Sequence, residues 1–164
     1  MNAVALIGSA LKLNRNLTLS LLKDLTGHDL VYRPGGVGNH VLWNLGHIGW
    51  SELSLSQMAG LKTTSLPPGN LDAFALGSEV RDDATAYPAK ESLLAWLAAL
   101  RGQVLAGLAN VTDAELDLPI VGEVRPGFLE TRGDAWRLMI AHEPMHAGQI
   151  SVIRRELGKA RATA

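Results

Sequence analysis

His142 and His146 stand four residues apart in RLMIAHEPMHAGQISVIRRELG, residues 137–158. On a helix of about 3.6 residues per turn, that separation places two imidazoles on one face, where they can bite a single metal ion. Ala135, Leu138, Met139, Ile150 and Ile153 fall in phase with the pair, so the rings point into a core. Buried polar rings need partners. A metal ion would satisfy both, since neutral imidazole is a common ligand for zinc, nickel and iron. The plainer reading is a pair of core histidines hydrogen-bonded to other side chains.

Glu143 completes the letters H-E-x-x-H, which on a helix suggest a zinc protease with the glutamate as general base. Two features speak against that reading. Pro144 lies inside the motif, where it removes a backbone donor and crowds the carbonyl of Ile140, so a kink is expected. The extended pattern also asks for Gly and His downstream, and the chain has Gln149 and Val152 there.

The rest of the composition narrows the chemistry. The chain has 164 residues, 47% hydrophobic and 19% charged, which fits one globular domain spanning residues 1–164. Its 15 basic and 16 acidic residues give a net charge of −1, so no electrostatic argument favours nucleic acid or an anionic membrane. With no cysteine, any metal must be held by nitrogen and oxygen. No apolar run approaches a transmembrane length and the first residues lack a signal-like pattern, so a cytoplasmic protein is expected.

Four amphipathic segments must position these groups. The first runs from about Ala3 to Leu25, with Leu6, Ile7, Leu11, Leu13, Leu17, Leu21 and Leu22 at helical spacing. The glycine-rich turn VYRPGGVGN matches no phosphate-binding pattern. A second helix is expected from Asn39 to Ala59, with Trp43, Asn44, Trp50, Ser51, Ser54 and Met58 near the face of His47. His47 alone would be a packed, hydrogen-bonded histidine; its case depends on the pair downstream. His40 lies two turns from His47, about 10 Å along the axis, and reads as a helix-start or cavity-rim residue.

Residues 60–88 read as a long crossover, followed by a third helix from about Ala89 to Leu108. LPIVG and VRPGF, within residues 110–130, suggest a small hairpin or a loop. Thr131 and Asp134 form a capping-box pattern for the fourth helix, Gly158 supplies a stop, and Arg154, Arg155 and Lys159 suit its C-terminal dipole. The expected architecture is an all-α four-helix bundle running up-down-down-up. The short first connection suits antiparallel neighbours, and the long one between helices two and three lets those two run parallel.

In RPGGVGNHVLWNLGHIGWSE, GSEVRDDATAYPAKESLLAWL and HEPMHAGQISVIRRELG the chain resembles the DinB/YfiT-like superfamily of metal-dependent enzymes over nearly its whole length. The last stretch is the most specific, an H-x-x-x-H followed by G-Q and a basic-Leu-Gly ending. The resemblance implies a bundle, often dimeric, with one metal ion per chain held by His47, His142 and His146. Zinc or nickel is expected first, then iron or manganese. Three imidazoles would leave positions open for water or substrate, the arrangement of a catalytic site. It further implies a transferase or isomerase using a low-molecular-weight thiol, or a hydrolase, acting on a small electrophile. Glu143 is then the candidate general base or a partner of the ligands, although its place about 100° round the wheel from His142 turns it aside. Asn44, Ser51 and Gln149 are candidates to line the pocket or orient the histidines. The reading from another class is a metal-stabilised, stress-associated dimer without turnover.

Overall fold

The computed structural model describes residues 2–162. Its four long helices are α1 (Ala3–Leu22), α2 (Val41–Met58), α3 (Lys90–Leu108) and α4 (Arg132–Glu156). Short 3-10 turns interrupt the connections, and two isolated bridges, Pro119 with Thr131 and Arg125 with Leu129, pin the loop before α4. Of the hairpin or loop expected there, the structure has a loop with those two bridges.

Side-chain pairings fix the helix directions. Asn14 meets Ile140 and Leu21 meets Arg154, so α1 and α4 run parallel. Asn39 meets Gln149 and Asn44 meets His146, so α2 opposes α4. Trp96 covers Gly49, and five residues further along α3 Arg101 meets Glu52, three residues further along α2, so α2 and α3 run parallel. The topology is therefore up-down-down-up. One detail differs from expectation: α4 packs against both α1 and α2, and α2 against α3, which leaves α1 and α2 across the diagonal instead of side by side.

The stripes predicted for α4 and α3 form the core. Ala135, Met139, Ile150 and Ile153 are buried from α4, as are Leu93, Trp96, Leu97, Leu100, Val104 and Leu108 from α3. In α1 the reading divides. Ile7, Leu11 and Leu22 are buried, whereas Leu6, Leu13 and Leu17 lie 59%, 59% and 40% exposed on a second apolar face. Among the described residues no helix is long and apolar enough to cross a membrane.

Local chemistry explains the ends and the odd residue. The Thr131 hydroxyl accepts from the Asp134 N–H while the Asp134 carboxylate accepts from the Thr131 N–H, closing the expected capping box. Gly158, with φ of 66°, ends α4. Arg154 does more than face the helix dipole: it is buried and its guanidinium binds the Asp24 carboxylate and the carbonyls of Leu21 and Ala160. α4 is assigned as one helix through Pro144. Proline cannot donate to the carbonyl four residues back. The Asn14 side chain of α1 takes that place, donating to the Ile140 carbonyl at 2.7 Å.

Candidate metal centre

α2 and α4 face each other in opposite directions, and this brings His47, His142 and His146 together. One ring nitrogen from each lies within 4.8 Å of the others. His47 and His146 are buried and His142 is partly covered. The His142 and His146 Nε2 atoms are 3.3 Å apart. Two nitrogens bound at about 2.0–2.1 Å to a tetrahedral ion stand about 3.3–3.4 Å apart, so the spacing suits a shared metal.

The far side of two rings is fixed. His47 Nδ1 lies 2.6 Å from the Phe74 carbonyl, an acceptor only, so Nδ1 carries the proton and the Nε2 lone pair is left for the cluster. His146 Nδ1 lies 2.7 Å from Asn44 Oδ1. Asn44 is oriented in turn, its Nδ2 donating to the carbonyls of His40 at 3.0 Å and Asn39 at 3.2 Å, which settles its oxygen as the acceptor. Such outer contacts set the tautomer and aim of metal-binding histidines.

Burial keeps the rings neutral. It pushes His142 down to about 4 and His146 to about 3, assisted by the neighbouring histidines, and it lowers His47 as well. Neutral rings with aimed lone pairs form a donor set that fits a divalent transition ion.

Trp43 and Trp50 sandwich the His47 ring, with centroids at 4.5 Å and 5.4 Å and nearly parallel planes. The crossover seats this half of the site. The Phe74 ring lies over Gly46, where a Cβ would come within 2.1 Å of it, so only glycine admits the packing that delivers the Phe74 carbonyl to His47. Ser78 and the Arg81 carbonyl, from the same connection, hold Trp43 and His40. His40 starts α2: its Nδ1 accepts from the Trp43 N–H at 3.1 Å while its Nε2–H donates to Arg81.

The other candidates separate by location. Asn44 and buried Ser51 lie on α2 one turn to either side of His47. Gln149 is exposed one turn along α4 from His146 and accepts from Asn39 at 3.2 Å. Glu143 is buried and turned to the bundle centre. Its Oε1 accepts from Arg15 Nε and its Oε2 from Arg101 Nη2, each at 2.7 Å. Glu52 completes the square, bonded to Arg15 at 2.7 Å and to Arg101 at 2.5 Å. Burial pushes the Glu143 carboxyl upward, but Arg15 and Arg101 outweigh it and hold the group below its usual range.

Arg15, Glu52 and Arg101 escaped the sequence reading, as did the Phe74 carbonyl. The three charges had a signal: Arg15 is in phase with Leu11 and Leu22, Glu52 with Ile48 and Leu55, and Arg101 with Leu97 and Val104. A charge on an apolar stripe asks for a buried counter-charge. A backbone carbonyl carries no such mark.

No curated protein matches the chain. A solved structure described as a conserved protein from Enterococcus faecalis is similar in fold, with a TM-score of 0.72 and 19% identity over 97% of this chain and 99% of that one. The model of the DinB superfamily matches residues 10–150, and with the helical bundle around three histidines it follows that the chain belongs to that superfamily.

Proposed function

We propose that the protein is a metal-dependent enzyme acting on a small electrophilic substrate, a transferase or isomerase using a low-molecular-weight thiol, or a hydrolase. The observation that carries this reading is the convergence of three neutral imidazoles, two of which, His47 and His146, have their outer nitrogens fixed by Phe74 and Asn44. His47, His142 and His146 would hold one divalent ion per chain, zinc or nickel before iron or manganese. Such an ion, when bound, supplies a Lewis acid that favours the deprotonated form of a thiol or water.

The chain's own residues supply the setting. Trp43 and Trp50 fix the plane of His47 and keep water from it. Gln149, exposed one turn along α4 from His146, would donate to the polar end of the substrate. Asn44 orients His146 and Ser51 lines the inner wall. Glu143 serves by position, because both its oxygens already serve guanidiniums. The homodimer belongs to the same reading, supported by the exposed Leu6, Leu13 and Leu17 on one face of α1, a kind of surface that marks interfaces.

Turnover of a thiol with a small electrophile by zinc- or nickel-loaded protein, absent in His47→Ala, is the deciding assay. Loss of melting temperature in that variant, with no turnover in the loaded wild type, would favour a metal that only stabilises the fold.

A further inference from the structure

Two of the three histidines have a protein acceptor for the nitrogen that faces away from the cluster, Phe74 for His47 and Asn44 for His146. His142 instead borders a narrow cavity of about 10 Å³ whose polar lining is Glu52, Arg101 and Glu143 and whose remaining walls are apolar. That is on the order of the room one water molecule needs, and a buried water also needs two to four polar partners. The cavity supplies them. Glu143 accepts one guanidinium bond at each oxygen, and a carboxylate has about four lone-pair sites, so capacity remains for a further donor.

We infer that this cavity holds a structural water that accepts the Nδ1–H of His142 and donates to the Glu52–Glu143 pair, making both glutamates positioning residues for the metal centre. The buried ion-pair square then has a second use beyond joining α1, α2, α3 and α4. It sets the tautomer of the third ligand from the protein interior, as Phe74 and Asn44 set the other two. Because the two guanidiniums balance the two carboxylates, the lining offers a strong acceptor without placing a net charge beside the ion.

The inference rests on the three histidines being a metal centre, and the experiment separates the two. Zinc affinity is measured by competition with a chromophoric chelator for wild type, Glu143→Gln, Glu52→Gln and Arg154→Met. The last breaks the ion pair of buried Arg154 with exposed Asp24, away from the histidines, controlling for lost stability alone. Affinity is expected to fall about 10–100-fold in both glutamine variants and to hold in Arg154→Met. Zinc binding by wild type that the glutamine variants leave unchanged would overturn the inference. No zinc binding by wild type would instead remove the metal reading beneath it. Should the glutamine variants fail to fold, zinc-loaded wild type labelled with 15N at histidine still decides. The His142 Nδ1 proton should be present and slow to exchange; coordination through Nδ1, or exchange as fast as in an exposed imidazole, would contradict the proposal.

Discussion

At the scale of single residues, the site removes choice from the rings of His47 and His146. Asn44 is the clearest case, because its amide is held by two carbonyls and can offer His146 only its oxygen. Asn44→Leu keeps similar bulk and deletes that acceptor. Zinc affinity should drop about 10–100-fold while the far-ultraviolet circular dichroism stays helical. Neutrality has a pH signature too. His142 and His146 titrate at about 4 and about 3 in the fold, against about 6.5 in an unfolded chain. Below pH ~6.5 the unfolded chain therefore takes up protons that the native one refuses. Their contribution to stability is complete above that pH and is withdrawn as pH falls through the folded values. The urea midpoint of metal-free protein should fall between pH 7 and pH 5, and less steeply in a His142→Asn, His146→Asn double variant. An equal slope in both would contradict the assignment.

At the scale of elements, α4 depends on α1 through the Asn14 bond to the Ile140 carbonyl, which Pro144 leaves without its helical donor. Asn14→Leu should cost about 1 kcal/mol, the low end of the penalty for an acceptor left alone, because this bond is part-buried. Pro144→Ala restores the helical N–H, so it should recover most of that loss in the Asn14→Leu background, measured by urea denaturation as a double-mutant cycle. Additive effects would mean that Asn14 does not serve the proline. This is also where the sequence was partly opaque. The proline and its orphaned carbonyl were visible at Pro144 and Ile140, but an uncharged asparagine more than a hundred positions upstream gave no reason to pair it with them. Helix ends were easier, since His40, Thr131 and Gly158 declare themselves through local capping chemistry. The leucines of α1 were harder: two apolar faces on one helix look, in sequence, like one broad face. Only packing against α3 and α4 separates buried Leu11 from exposed Leu13.

At the scale of the whole molecule, the bundle is a device for opposing α2 and α4 at one height. The ligand pair His142 and His146 was legible because a spacing of four has meaning within a single helix. The addition of His47 came from family resemblance, and the physical reason it joins them is the antiparallel run of α2, which no local pattern encodes. The central Arg15, Glu52, Arg101 and Glu143 square ties all four helices together beneath that site. Breaking one member of such a buried pair costs about 3–5 kcal/mol, a large part of the stability of a small domain. The central claim is that the four helices assemble one metal site per chain, and elemental analysis of untagged protein tests it most directly. Wild type exposed to zinc or nickel should hold about one ion per chain, and His47→Ala and His142→Ala should hold far less. Metal-free wild type after incubation with zinc, nickel and iron salts, or full loading retained in both variants, would contradict the account.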